Sequence, residues 1–457
     1  MPTRHLIVGA GPAGLAAAET LRALDPGCAI ALVCDEAPYA RMVLPYVVAG
    51  RIEERAAATA DGSWLAALGV EAHLGRRVRR VEPAAHRVTL DDGAQLSYDR
   101  LLIATGSRAA RPALPGIDLP GVLPFWTLDH ARAYLGAPHR ETAIVGGGFI
   151  AFTVLDGVVA RSERVTLLER EPQVLPRMLD APAAGIVAAR LRARGVEVRT
   201  EASLERIEAH GRRKRLHLAG GAPLECDAVL VAAGIQPNVE LLDGSGIEVG
   251  HGVLVDEHLR TSAPDVYAAG DVAEGPDLLG GDRAVRAIQP TAVDHGRVAA
   301  AHMAGHPVAY RGSLVMNVVA VQGLEAASCG RWDRRSNATV VENAAGGVYR
   351  KYVWEEDRLV GGILVGPNAA VAGTNDAGML KGMIQTGGRL GPWRQWLEES
   401  PLELRRAFLA SGAAEALLSE TLLTGRASAG GGFRWPRIAP RRPRSPHHAT
   451  LVTGAPR

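Results

Sequence analysis

The sequence predicts an α/β protein: two three-layer units built on parallel sheets, one inserted into the other, followed by a smaller α+β unit. Three observations carry this. A strand, a glycine-rich turn and an apolar helix open the chain at His5–Leu24. The same pattern returns at Thr142–Arg170. Two further apolar runs, Leu101–Gly106 and Cys226–Gly234, each end in small residues, as the later strands of such sheets do.

His5–Val8 reads as a buried strand, and Gly9-Ala10-Gly11-Pro12-Ala13-Gly14 spells G-x-G-x-x-G ahead of the helix. This turn is the phosphate cradle of a Rossmann-like βαβ unit. The first glycine permits the tight turn, the second lets the backbone approach a pyrophosphate, and the third lets helix and strand pack closely. Free N–H groups and the positive end of the helix dipole hold the anion. Pro12 suits the first helical turn, where its missing N–H costs nothing. Ala29–Asp35 is a short apolar run ending in Asp35, where a ribose-binding carboxylate belongs.

Ala37–Ile52 reads as a loop crossing the face of the sheet before a short helical segment. Short alternating strands around Asp91-Asp92-Gly93 read as an antiparallel insertion that returns to a parallel strand, Leu101–Ala104. Ala104, Thr105 and Gly106 end that strand with little side-chain bulk, so a cofactor can lie against the backbone. Pro112–Pro124 is dense in Pro and Gly and reads as a crossing between units.

The second cradle is Gly146-Gly147-Gly148-Phe149-Ile150-Ala151, with Ala at a position that tolerates it. Its acid is Glu169, 23 positions after Gly146. Two cradles imply two dinucleotides. A helix near Ala181–Arg194, a strand Val196–Arg199 and a hairpin around Arg213–Leu218 continue this unit. Cys226–Asn238, with Gly234 at its exit, leads back into the first unit, where Thr261–Glu274 supplies a strand ending in Gly270-Asp271. A helix within Ala287–Gly305 follows. Beyond Tyr310 the runs are strand-like without a cradle, and helices are expected at Asp376–Gln385 and Trp393–Leu409. The expected organisation is residues 1–115 with 240–310, residues 116–239 inserted, residues 311–410, and a disordered tail at 424–457. That tail holds seven Arg and no acid from Gly425 on; it reads as inert rather than as an arm for nucleic acid.

Apolar content of 47%, charged content of 22% and a net charge of +2 describe an ordinary globular chain with no electrostatic partner written into its composition. No run approaches eighteen apolar residues, so no membrane span is expected. A strand starting at residue 5 leaves no room for a signal peptide, and the cytoplasm is the expected compartment. Cys28, Cys34, Cys226 and Cys329 form no C-x-x-C pair and no cluster at zinc or iron–sulfur spacing, so neither a metal nor a cysteine redox centre is expected.

On these residues the chain resembles the FAD- and NAD(P)-dependent pyridine nucleotide oxidoreductases over Arg4–Leu409. Within them it is most similar to the electron-transfer branch: rubredoxin, ferredoxin and putidaredoxin reductases and the flavin part of assimilatory nitrite reductase. The resemblance implies FAD on the first cradle, with pyrophosphate at Gly9, Gly11, Pro12, Ala13 and Gly14 and ribose at Asp35. It also implies Arg41 and Val78 beside the FAD, Ala104, Thr105 and Gly106 near its phosphates, and Asp271 on the ribityl hydroxyls. NAD falls to Gly146, Gly148, Phe149, Ile150, Glu169 and Gly234. Glu169 favours NAD over NADP, because a carboxylate repels a 2′-phosphate.

Departures from the family pattern narrow the branch. Relatives that use a redox cysteine carry it in the loop over the flavin, where RMVLPYVVAG places Met42; a thioether forms no thiolate. Thr153 stands where the nicotinamide-site helix usually has Glu. The only lysines are Lys214, Lys351 and Lys381, so none lies in the FAD-binding segments. The resemblance therefore implies hydride transfer from NADH to FAD and onward electron transfer to rubredoxin, ferredoxin or a metal-containing subunit, or the reverse, with no protein acid–base group required. The C-terminal unit would serve homodimer or partner contacts. Two rivals stand beside this reading: a non-catalytic flavoprotein scaffold, and a direct small-molecule oxidoreductase using His130, His295 or Lys381.

Overall fold

The computed structural model describes residues 2–334, 336–343, 346–367 and 374–420; the tail expected at 424–457 lies outside them. The first sheet is fully parallel, in the order Val266–Ala268, Arg100–Ile103, Arg4–Val8, Ala29–Cys34, Val70–Leu74. Leu6, Ile7, Leu32, Leu101, Leu102 and Ile103 are all buried, as strands covered on both faces require. Its last strand comes from beyond the whole of the second sheet.

That second sheet repeats the order with Glu197–Arg199, Arg164–Leu168, Glu141–Val145, Ala228–Val231 and Val122–Pro124, again parallel. Each sheet has an antiparallel three-stranded companion: Val78–Glu82, Arg87–Leu90 and Gln95–Ser97 for the first, and Leu204–His210, Arg213–Leu218 and Leu224–Cys226 for the second. The chain crosses between the sheets twice. The two crossings, Ser107–Ala109 and Ile235–Pro237, pair with each other antiparallel.

A third sheet is antiparallel, in the order Met316–Val321, Leu324–Gly330, Arg358–Pro367, Val348–Glu355, Ala338–Asn343. The Thr374–Thr386 helix buries Ala377, Leu380, Met383 and Ile384 against it. Among the described residues no helix is long and apolar enough to cross a membrane.

Two local expectations change. The stretch read as a loop from Ala37 is helical from Arg41, as a 3-10 turn Arg41–Val43 and then a helix Leu44–Val48. Tertiary burial decides this: Leu44 and Val48 pack with Phe152 and Leu155 of the second unit. The helix expected over Trp393–Leu409 is two, Pro392–Glu399 and Leu404–Ala410. Pro401 keeps Ser400 out of the helical region (φ −134°, ψ 67°) and ends the first of them.

One packing contact fixes the first unit. The helices Pro12–Leu24 and Gln289–Met303 lie against each other along alanine-rich faces, with Ala299, Ala300 and Ala301 fully buried. A β-carbon on Gly296 would overlap the carbonyl of Ala13, inside the first cradle. Gly296→Ala should therefore destabilise by at least the roughly 1–3 kcal/mol of an overpacked core. It should also lower dinucleotide occupancy, both read from a denaturation curve and the bound-cofactor ratio of the purified variant.

Candidate dinucleotide-binding site

The two glycine turns are built alike, atom for atom along the backbone. Gly9 N donates to Val33 O at 2.7 Å, and Ala104 N to Val8 O at 2.8 Å. In the second unit Gly146 N donates to Leu168 O at 2.8 Å, and Ala232 N to Val145 O at 2.8 Å. Gly9 and Gly146 take φ of 114° and 100°, which L side chains rarely adopt, and a β-carbon on either would collide with the carbonyl of Ala104 or Ala232. Gly14 is forced by the same closeness, its β-carbon falling on the Gly9 carbonyl; Ala151 takes its place in the second unit.

Gly11 and Gly148 differ from these. Each is the N-cap of its helix, with no side chain capping the first turn, and a β-carbon on either would meet nothing within 4 Å. Gly106 and Gly234, at the exits of the neighbouring strands, face equally open space. Neither helix carries an acid in its first turn. Unfilled N–H groups, a positive helix end and room beside the backbone are what a pyrophosphate needs, so both cradles fit a dinucleotide. Pro12 and Phe149 open the two helices, with Ala13 buried and Ile150 partly exposed.

The acids are not equivalent. Glu169 follows Leu168 directly and curls back over its turn: Oε2 accepts from Gly147 N at 2.6 Å and Oε1 from Glu171 N at 2.9 Å. By the same register Val33 pairs with Val8, so the residue at this position in the first unit is Cys34, whose sulfur takes backbone hydrogen bonds from Ala10 and Glu36. Asp35, expected there, sits one residue farther on, exposed, with Oδ2 accepting from Arg77 Nε at 3.0 Å and Nη2 at 2.7 Å. The run read as Ala29–Asp35 closes as a strand at Cys34, one residue before the acid. Val78, next to Arg77, is buried in the first core.

The seam between the units gathers residues from five segments of the chain. Trp126 Nε1 donates to Ser107 O at 2.6 Å, and Arg41 Nη1 to the same oxygen at 3.1 Å. Arg41 lies over the Trp126 ring at 5.7 Å and pairs with Glu36 at 2.9 Å. Ser107 Oγ donates to Asp271 Oδ2 at 2.7 Å. Burial raises the Asp271 carboxyl above its ordinary range, with Ser107 and Arg41 opposing. Thr105 and Asn238 lock the two crossings together through reciprocal bonds of 2.8 and 2.9 Å. Arg41, Thr105, Gly106 and Asp271 were expected near one cofactor, and the fold does bring them together. Ser107, Trp126 and Glu36 were not expected; the only sequence signal for them is adjacency to Gly106 and Asp35.

Met42 is exposed, at 60% of its full surface, and all four cysteines are free. Thr153 donates its hydroxyl to Ile150 O at 2.7 Å. The residues considered for direct acid–base work do not converge. His130 caps its own helix through Thr127. Lys381 is buried, with Asp294 and Cys329 acting on its charge. His295 is buried, its Nδ1 accepting from Gly270 N at 3.4 Å and its Nε2 facing Ser313 Oγ at 3.1 Å. Since Gly270 N can only donate, Nε2 carries the proton, and the ring is a neutral strut beneath the turn that presents Asp271.

A model of the family described as pyridine nucleotide-disulphide oxidoreductase matches residues 3–304. The chain is 30% identical over 419 residues to the NADH-dependent phenylglyoxylate dehydrogenase subunit epsilon of Aromatoleum evansii, covering 89% of this chain and 97% of that one. It is 37% identical over 306 residues to the biphenyl dioxygenase system ferredoxin–NAD(+) reductase component of Paraburkholderia xenovorans (strain LB400), covering 66% and 75%. Among solved structures, an NAD-dependent persulfide reductase from A. fulgidus superposes with a TM-score of 0.78 at 26% identity, covering 86% of this chain and 78% of that one.

Two measurements check this geometry. Gly11→Val should leave the unfolding midpoint of the cofactor-free chain nearly unchanged while abolishing retention of the first dinucleotide; Gly14→Ala should lower both. Burial depresses the His295 imidazole from 6.5 to about 3. A depressed folded-state value contributes stability above the unfolded pKa and loses it as pH falls, so His295 should cost about 2 kcal/mol between pH 6.5 and 5. His295→Gln, which keeps an acceptor and a donor, should lack that share of the acid loss in denaturation curves at the two pH values.

Proposed function

The chain belongs to the pyridine nucleotide-disulphide oxidoreductase family, and from that premise we propose that it passes reducing equivalents between NADH and a partner redox protein through FAD. The observation that carries this is the pair of open-faced cradles joined by crossing strands, with no thiol at the seam. FAD belongs on the first cradle, held by Gly9, Gly11, Ala13 and Gly14 with Arg41, Thr105, Gly106 and Asp271 around it. NAD belongs on the second, at Gly146, Gly148, Ile150 and Glu169. Bound FAD supplies the conversion between a two-electron hydride and single electrons.

What the chain contributes is orientation and charge. The two helix N-termini anchor two anions at fixed separation, so the reactive rings meet without a search. Arg41 brings a permanent cation to the seam, fixed by Ser107 O and Glu36. Asp271 accepts from Ser107 and is thereby aimed, and the His295 strut keeps its turn in place. Glu169, with both carboxylate oxygens anchored on backbone N–H groups, selects a free ribose 2′-hydroxyl.

The acceptor or donor beyond the flavin is a one-electron carrier, an iron–sulfur protein or a metal-containing subunit. Support comes from the relatives' printed roles, a ferredoxin reductase component and a dehydrogenase subunit matched along 97% of its length. It also comes from Met42, where a cysteine-dependent reaction would need sulfur chemistry. A cavity of about 470 Å³ lies where the third sheet meets the loop after Asp271, and Arg177, Arg283, Arg286 and Arg331 line it with Trp332. Asp277, Asp282 and Asp333 line it as well, and Arg286 is paired with Asp277 at 2.8 Å, so the opening carries both signs of charge.

Purified protein should be yellow and should bleach within seconds when NADH is added without oxygen; colour should return on adding an oxidised ferredoxin. A yellow protein indifferent to NADH and NADPH would favour the scaffold reading. Glu169→Ala should raise the KM for NADH roughly ten- to hundredfold, the loss of a charged hydrogen bond; an unchanged KM would remove Glu169 from the site.

A further inference from the structure

At the end of the first sheet opposite its glycine turn, three side chains from two segments meet. His5 offers a ring nitrogen, Asp25 a carboxylate oxygen and Cys28 its sulfur, all within 4.8 Å of one another. We propose that they bind a thiophilic divalent cation of the zinc type, with a fourth position left to water.

The first argument is the imidazole. His5 is 1% exposed, and neither ring nitrogen has a hydrogen-bond partner. Buried polar groups are almost always paired, and an orphan at this depth asks for a ligand. Burial, with Arg100 adding to it, lowers its pKa to about 4, so a lone pair is available at neutral pH.

The second is the turn that brings the other two donors. The Pro12–Leu24 helix ends at Asp25, and Asp25-Pro26-Gly27-Cys28 wraps round a single point. Gly27 N donates to Asp25 Oδ1 at 3.1 Å, and Cys28 N to Asp25 O at 3.3 Å, so carboxylate and thiol, three residues apart, face the same side. This is the spacing of a chelating pair, with Asp in place of the first cysteine of C-x-x-C. His5 arrives from the neighbouring strand, where it pairs with Ile30.

The donor set decides the class of ion. Nitrogen, oxygen and sulfur together suit zinc or cobalt; calcium and magnesium take oxygen alone. Donor–metal distances of about 2.0–2.3 Å put tetrahedral donors roughly 3.3–3.8 Å apart, so the trio must close by about an ångström, within reach of a side-chain rotation. Arg22 and Arg100 are unfavourable neighbours, Arg22 with its Nη1 3.8 Å from the Cys28 sulfur and Arg100 acting on His5. The Arg22 guanidinium is nonetheless committed to the carbonyls of Leu68, Pro26, Cys28 and Gly69. Burial raises the Cys28 thiol above its ordinary range, with Arg22 opposing, so a bound cation would have to displace the thiol proton. Asp99, which accepts from Arg4 N, adds negative charge nearby. An ion can enter beside half-buried Asp25, past exposed Pro26 and Gly27. Once bound it would staple the first strand, the first helix and the start of the second strand, away from both cradles.

The test uses the full-length flavoprotein after chelator treatment, titrated with Co2+ and then Zn2+. One equivalent of Co2+ should give ligand-field bands to the red of the flavin and a thiolate-to-cobalt charge-transfer band, both erased by one equivalent of Zn2+. Zn2+ should raise the unfolding midpoint. Cys28→Ala, a small apolar exchange in a buried position, should keep flavin content while losing the charge-transfer band and at least tenfold in affinity. Asp25→Asn should also lose at least tenfold. No saturable binding by the wild type, or binding in Cys28→Ala with the same spectrum and affinity, would overturn the assignment.

Discussion

The closeness of Gly9 to the Ala104 carbonyl, at a distance no β-carbon tolerates, is the constraint on which the rest of the molecule depends. It seats the first turn directly on the exit of the neighbouring strand. The turn is pinned from the other side by the Val33 carbonyl. Gly14 then presses the helix onto Gly9, and Gly296 presses the last helix of the unit onto Ala13. Three glycines thus draw three strands and two helices to one point, and the anion-binding N-terminus is set by backbone contact rather than by a side chain that could rotate away. The second unit reproduces this with Gly146 against Ala232, and the paired crossings carry one cradle's position to the other.

The repetition makes its own breaks informative. Where the second unit bends a glutamate over its turn, the first bends a cysteine, with the same two backbone donors in each case. The first turn therefore carries a thiol where the second carries a carboxylate, so the two cradles differ in charge at the outer end. Where the first unit needs Gly14, the second accommodates Ala151, so its helix stands slightly farther off. Two copies of one motif are therefore tuned for two dinucleotides by substitutions at two positions of each repeat.

Local pattern made much of this legible in the sequence. Both cradles, Glu169 and the return of the chain into the first sheet were all readable, because glycine geometry and the strand–helix alternation are short-range rules. What was not readable depends on register or on distance. The run read as Ala29–Asp35 ends as a strand at Cys34, because the last residue of a strand is fixed by its pairing, here with Leu74, and not by its own run. Ala37–Ile52 passed for a loop because its helix is held by Phe152 and Leu155, more than a hundred residues on. Ser107 and Trp126 carry no motif, and they matter only because the fold turns both toward Arg41. His5 stands too far from Asp25 and Cys28 along the chain for the three to register as a cluster.

The third unit shows why the seam keeps its shape. The three lysines of the chain are all buried, whereas its arginines dominate the surface. Lys351 Nζ reaches Asp180 Oδ2 at 3.1 Å, and Tyr349 OH reaches the same oxygen at 2.8 Å. The other oxygen of Asp180 caps the helix Ala181–Ala193 of the second unit. Lys381, on the third unit, lies under the influence of Asp294 on the last helix of the first. A buried ion pair adds little net stability, yet losing one partner strands the other charge, which costs about 3–5 kcal/mol. The Lys351–Asp180 pair thus ties the third sheet to the second unit by a contact whose opening leaves a buried lysine without its carboxylate.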